Sequence, residues 1–202
     1  MMYPKLRELV EAIKALIMGP CTTKFPAKPH KPMERFRGKP IPDEEWCIGC
    51  GACSEVCPSH AIDLTDNSET AERKLTWRYD RCLFCGQCEA LCTTERGVHL
   101  SNEEYDLAAF DRSTLLSELD FDLILCPDCN EIIGTKDQLL WLVKKLGPLA
   151  YGNFPLILTA QKELKIVSEE PEAKAKPGRS NIFRILCPRC RHDIELADEY
   201  GE

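Results

Sequence analysis

Long apolar runs are missing from this 202-residue chain. No stretch approaches the roughly 18–20 apolar residues needed to cross a bilayer, so any membrane link is expected to be peripheral or through a partner. The first apolar stretch is broken by Arg7, Glu8, Glu11 and Lys14. It therefore does not read as the continuous core of a secretory signal. Aromatic residues make up only 7% and hydrophobic residues 44%, which allows a core but a thin one. Positive charge is in deficit, with a formal net charge of −7. An acidic chain binds phosphate poorly, so no nucleic-acid partner is expected. The four histidines, His30, His60, His99 and His192, lack a second histidine or carboxylate at hydrolytic spacing. No nucleophile–base set, phosphate-cradling loop or dinucleotide fingerprint is present.

Cysteine is what the chain has in excess, with 13 residues. Disulfide frameworks belong to oxidising compartments and small secreted domains; in a chain of this kind the thiols read as metal ligands. Such sites supply folding energy that a thin core lacks. Cys47, Cys50, Cys53 and Cys57, then Pro58, spell C-x2-C-x2-C-x3-C-P. Cys82, Cys85, Cys88 and Cys92 repeat the spacing, with Thr93 in place of the proline. These intervals suit cubane iron–sulfur clusters. Three sulfurs converge from one tight loop, and the fourth is expected to start a helix that points away to the other cluster. We assign Cys47, Cys50, Cys53 and Cys92 to one 4Fe–4S cluster, and Cys82, Cys85, Cys88 and Cys57 to the second. Two close clusters carry single electrons, and the chain alone is expected to catalyse nothing beyond electron exchange.

The remaining organisation is read around those runs. Leu6, Leu9, Val10, Ile13, Leu16 and Ile17 form one stripe of a helix over 4–18, stopped by Gly19-Pro20. Its mixed polar face leaves a membrane surface, a partner subunit or its own domain as what it lies on. Residues 20–45 carry six prolines and a basic excess, which reads as an extended arm, either a solvated linker or a strap on an acidic partner or lipid headgroups. Residues 46–100 form the two-cluster domain, an internal repeat of cysteine loop, short helix and short strand (Ala61–Leu64 and Gly97–Leu100). Leu75–Tyr79 alternates and reads as an extra strand. Gly49, Gly51 and Gly86 let the backbone approach sulfur. Trp46, Trp77, Tyr79 and Phe84 flank the loops and are expected to exclude water. His60 reads as an ordinary loop residue and Cys21 as an ordinary thiol.

Residues 101–202 form a C-terminal extension. It is expected to hold a partial helix from about Ser113, a strand over Phe121–Leu125 and a helix capped by Thr135 and Gln138. Short strands are expected at Leu156–Leu158 and Leu164–Val167, a flexible loop over 168–180, and a strand over Ile182–Leu186. The two flanking strands run into Cys126-Pro127-Asp128-Cys129 and Cys187-Pro188-Arg189-Cys190. The pairs look like the knuckles of zinc ribbons and rubredoxins. Four thiolates complete a tetrahedral site for zinc or a single iron, with His192 a possible substitute for Cys190. All positions are filled by protein, so the ion's role is structural. The fold class is expected to be α+β: a two-cluster domain that resembles bacterial ferredoxins, with an N-terminal helix and arm (1–45), and a C-terminal region that resembles zinc ribbons and rubredoxins.

The cysteine runs resemble those of bacterial two-cluster ferredoxins. The helix, Thr22-Thr23-Lys24-Phe25-Pro26 and Arg35-Phe36-Arg37-Gly38 before the first run resemble the two-cluster ferredoxin subunit of respiratory complex I. The C-terminal Cys-Pro-x-Cys pairs look more like the corresponding subunit of group 4 nickel–iron hydrogenases, including formate hydrogenlyase. This resemblance implies a subunit peripheral on the cytoplasmic face of the membrane. Its implied partners are the hydrogenase small and large subunits, other peripheral-arm subunits, and membrane subunits met through the helix and arm. The implied donor is a formate dehydrogenase or a ferredoxin. An equivalent subunit of a quinone-reducing complex, or a zinc-knuckle scaffold, are the alternatives.

Overall fold

The computed structural model describes residues 5–22, 24, 27–28, 32–101, 109–167 and 183–200. Thr23, Phe25, Pro26, His30, the loop expected over 168–180 and Ile182 lie outside the described residues. Six helices and six strands are described: α1 Leu6–Met18, β1 Pro40–Pro42, α2 Ala52–Glu55, β2 Ile62–Asn67, β3 Glu72–Arg78, α3 Gln87–Ala90, β4 Val98–Leu100, β5 Leu116–Leu125, β6 Ile132–Thr135, α4 Lys136–Leu146, α5 Phe154–Glu163 and α6 Pro188–Tyr200. The architecture is a mixture of helix and sheet.

Helix α1 forms where the stripe predicts it. It ends at Gly19, whose φ of 72° is open to glycine and whose N–H donates to the Ala15 carbonyl at 3.0 Å. None of its residues is buried; Leu6 is 82% and Leu16 84% exposed. The apolar face is therefore laid against nothing among the described residues. The arm contains no helix among its described residues, as its prolines require. Its last part does touch the cysteine-rich half. The Arg37 guanidinium donates to the Cys85 carbonyl at 2.9 Å, and the Lys39 ammonium sits 5.4 Å from the Tyr79 ring centre. Strand β1 then pairs antiparallel with β4, Pro40 opposite Leu100.

The main sheet has the order β2-β3-β5-β6. β2 and β3 are a hairpin with Ile62 opposite Trp77. β5 lies antiparallel to β3, Leu75 opposite Leu119 and Arg73 opposite Phe121. β6 pairs with the far end of β5, Leu123 opposite Thr135, with an irregularity at Ile124/Leu125. Along β5, Phe121 and Leu123 are buried while Asp120 and Asp122 are exposed, the alternation of a half-buried strand. Phe121 joins Leu75, Trp77, Ile62, Tyr79 and Val98 in one core with Cys53 and Cys88. Burying each large side chain there contributes about 1.5–3 kcal/mol. A second small core gathers Cys126, Leu186, Cys187 and Ile194.

Several local expectations are corrected. The short helices precede the fourth cysteines rather than start at them. Gly51 and Gly86, at φ 78° and 80°, open α2 and α3, which carry Cys53 and Cys88. A helix from Ser113 is reduced to one 3-10 turn at Arg112–Thr114, because β5 begins at Leu116. Leu156–Leu158 is helical, within α5, and Leu164–Val167 is a turn. Pro155 in the first turn and Thr159 donating to the Pro155 carbonyl at 2.7 Å suit a buried helix. Residues 183–186 are not a strand, and the second cysteine pair opens α6 instead of closing a hairpin.

Candidate iron–sulfur and thiolate metal centres

Each cysteine run folds as a loop, a one-turn helix and a return. Positive φ at Gly49, Gly51 and Gly86 bends the loops inward. At Gly49 no side chain fits: an added Cβ would stand 2.7 Å from Phe121 of β5. The loop is held from outside by Arg73. Its guanidinium binds Asp66 through two contacts, 2.7 and 2.8 Å, and donates to the Gly49 carbonyl at 2.9 Å. Thr135 holds the same loop from the other side. Its hydroxyl donates to the Ile48 carbonyl while accepting from the Gln138 N–H at 3.1 Å, capping α4.

Two pockets lie inside this frame. One, of about 400 Å³ including its open mouth, is lined by Cys57, Cys82, Cys85 and Cys88, with Trp77, Tyr79, Leu83 and Phe84. The other, of about 320 Å³, is lined by Cys47, Cys50, Cys53 and Cys92, with Leu75, Trp77 and Val98. Each pocket thus takes three cysteines from one run and the fourth from the other. Trp77 stands in the wall of both.

The electrostatics differ within each set. Burial pushes Cys53 up to about 12, reinforced by the charges of Cys47, Cys50 and Cys88. Burial also pushes Cys47 and Cys88 up to about 11, although backbone N–H groups of Gly49 and Glu89 oppose it. The fourth cysteines go down. Burial works against ionising Cys57, but the Ala61 N–H at 3.2 Å and the Ser59 hydroxyl at 3.7 Å outweigh it. Burial is likewise outweighed at Cys92 by Thr94 and the N–H groups of Gly97 and Val98. Loading a pocket therefore strips protons from buried thiols, and metal binding and folding are linked.

The donor sets fit 4Fe–4S clusters on three observations. Four thiols line each pocket, the glycine bends leave backbone close by, and the buried Trp77 Nε1 has no hydrogen-bond partner among the described residues. Of the flanking aromatics, Trp77 and Tyr79 are buried, whereas Trp46 is exposed beneath the Arg96 guanidinium at 4.8 Å. His60 and His99 are exposed and line neither pocket. Cys21 is an exposed thiol.

The C-terminal pairs also meet. The sulfur atoms of Cys126, Cys129, Cys187 and Cys190 all lie within 4.8 Å of one another, Cys129 and Cys187 at 3.6 Å. Thiolates about 2.3 Å from one tetrahedral ion stand roughly 3.8 Å apart. His192 is exposed and outside the group. Asn130 takes the left-handed turn at φ 59° and donates its N–H to the Cys126 carbonyl at 2.9 Å. Arg191 needs no such turn, because it lies in α6. Burial opposes ionisation of Cys126, yet N–H groups of Cys187, Asp128 and Cys129 bring it below the usual thiol range, while burial and the neighbouring thiols push Cys190 up. Arg184, 7% exposed, donates to Asp128 at 2.6 Å and ties the two pairs together. Sequence reasoning missed Arg73, Thr135 as a loop clamp, and this ion pair; none carries a spacing signal.

Known proteins resemble this chain in sequence. Residues 46–95 match the family model of the 4Fe-4S dicluster domain. The chain is 34% identical over 133 residues to formate hydrogenlyase subunit 6 of Escherichia coli (strain K12), covering 66% of this chain and 73% of that protein. It is 37% identical over 160 residues to NAD(P)H-quinone oxidoreductase subunit I of a Prochlorococcus marinus strain, covering 72% and 71%. Among solved structures, a chain of the membrane-bound sulfane sulfur reductase, an archaeal respiratory membrane complex, is 29% identical over 50% of this chain and 53% of that one, with a TM-score of 0.33. With two crossed cysteine sets in one sheet-backed unit, the chain belongs to the family of dicluster iron–sulfur subunits that includes formate hydrogenlyase subunit 6 and NAD(P)H-quinone oxidoreductase subunit I.

Proposed function

We propose that this chain is the two-cluster electron-relay subunit of a membrane-associated, formate-hydrogenlyase-like hydrogenase complex. The observation that carries the reading is the crossed lining of the two pockets by Cys47, Cys50, Cys53, Cys92 and by Cys82, Cys85, Cys88, Cys57. When bound, 4Fe–4S clusters supply one-electron chemistry. The chain's own residues bind them through thiolates and exclude water with Trp77, Tyr79, Leu75 and Val98. Donors such as the Ala61 N–H stabilise the ligand sulfurs.

The exposed apolar face of α1 supports docking onto a partner or membrane subunit, since a stripe left bare costs solvation until something covers it. Among the described residues no helix is long and apolar enough to cross a membrane. The Cys126, Cys129, Cys187, Cys190 site is read as a structural zinc centre, with a knuckle-like turn at the first pair only and one iron as the alternative occupant. In this reading the partners are hydrogenase small and large subunits and a formate dehydrogenase or ferredoxin donor. The 37% identity over 160 residues to a quinone oxidoreductase subunit favours a second reading, the equivalent place in a quinone-reducing complex.

Anaerobic pull-down of the tagged chain, with mass spectrometry and elemental analysis, tests both. The expected result is about eight irons with acid-labile sulfide per chain and a nickel–iron large subunit among the partners. Co-purifying quinone-reducing subunits would select the second reading. Zinc without sulfide would overturn both.

A further inference from the structure

Trp77 is 1% exposed, yet its indole Nε1–H has no hydrogen-bond partner among the described residues. A buried donor left unpaired costs about 1–3 kcal/mol, and nearly all such groups in folded proteins find a partner. The backbone of Trp77 is fixed by pairing on both sides, opposite Ile62 of β2 and Ser117 of β5. Polar relief was near at hand, since the next alternate residue, Tyr79, bonds the Ser117 hydroxyl at 2.6 Å. A phenylalanine at 77 would supply a large apolar ring without the orphan donor. What distinguishes the position is that it lines both cysteine pockets at once.

We propose that the Trp77 indole N–H is held for sulfur, donating an N–H···S hydrogen bond to an inorganic sulfide of a cluster bound in one of these pockets. This rests on the iron–sulfur reading above and deepens it. Hydrogen bonds to cluster sulfur, like solvent exclusion, help set the reduction potential. A donor aimed at sulfur favours the form with the extra electron, so it raises the potential of the cluster it reaches. Trp77 thereby acts as a positioning and tuning residue. It ligates no iron, and it makes the two clusters unequal.

The experiment is an EPR-monitored redox titration of the full chain with both clusters loaded, comparing wild type with Trp77→Phe. The ring is kept and the donor removed. The expected result is a more negative midpoint for one cluster and no change in the other. Unchanged midpoints for both, with iron and sulfide still at full content, would overturn the inference. A second measurement does not need the Trp77 variant to load. In unaltered chain carrying 15N-indole tryptophan, pulsed EPR of the reduced protein should show a 15N coupling that persists in Trp46→Phe. No such coupling, or its loss in Trp46→Phe, would sink the idea. A chain with no sulfide and no signal after dithionite would instead sink the iron–sulfur reading itself.

Discussion

Thr135 joins two distant parts of this protein: its hydroxyl donates to the Ile48 carbonyl, 87 residues earlier in the chain. The same oxygen caps α4. One side chain thus fixes the first cysteine loop against the C-terminal extension. Thr135→Val keeps the shape and removes both bonds. It is expected to cost about 1.5–5 kcal/mol, from about 1–3 for an unsatisfied buried carbonyl and about 0.5–2 for a lost cap. Thr135→Ser should recover most of it. Denaturant unfolding of the loaded chain measures both variants.

The proposed crossing of ligands between the two runs has a direct consequence. Cys57→Ala should disturb the cluster held mainly by Cys82, Cys85 and Cys88, leaving its neighbour spectroscopically intact. EPR of the dithionite-reduced variant reads the two signals separately. Loss confined to the cluster of Cys47, Cys50 and Cys53 would reverse the assignment.

Gly49 and Gly147 share a positive φ, 63° and 55°, but differ in surroundings. A Cβ at Gly147 meets nothing within 4 Å, whereas at Gly49 it meets Phe121 at 2.7 Å. Gly147→Ala should cost about 1–2 kcal/mol for the left-handed backbone alone. Gly49→Ala adds about 1–3 kcal/mol of overpacking and should lower iron content as well. Thermal melts paired with iron assays distinguish the two.

Asp128 is the partner of buried Arg184. Asp128→Ala would leave that guanidinium unpaired at a cost of about 1–3 kcal/mol. Because the pair spans the two C-terminal cysteine segments, metal should also leave faster. Zinc or iron release to a chelator, followed over time, checks this. A release rate equal to wild type would show that the thiolates hold the segments unaided.

The exposed stripe of α1 predicts a separation of effects. Leu9 and Ile13 are 52% and 48% exposed, so Leu9→Glu with Ile13→Glu should leave the melting temperature of the isolated chain unchanged. Recovery in the membrane fraction should fall sharply. Quantitative immunoblotting of fractions provides the measure.

Much of this was legible in the sequence, for identifiable reasons. Cysteine spacing carries its chemistry locally, so both runs and both C-terminal pairs could be read from residue order. The Leu6–Ile17 stripe and the Leu75–Trp77 alternation each repeat a single period. Leu156-Ile157-Leu158 could not be read, because a short apolar run is equally a buried strand or a buried helix. Pro155 and the packing of α5 decide it. The start of β5 at Leu116 was hidden because its first half is polar on one side. It forms through pairing with β3, a partner far back in the chain. Arg73, Thr135 and Arg184 also act across long separations, and nothing beside them in the chain announces their partners.

Strand β5 covers the outer edge of β3 from Glu72 to Arg78. A chain cut before Leu116 would leave the backbone donors and acceptors of that edge bare. Such an edge invites pairing with other molecules. The extension is therefore also a seal, and a trimmed ferredoxin half would be expected to aggregate before its clusters could be assayed.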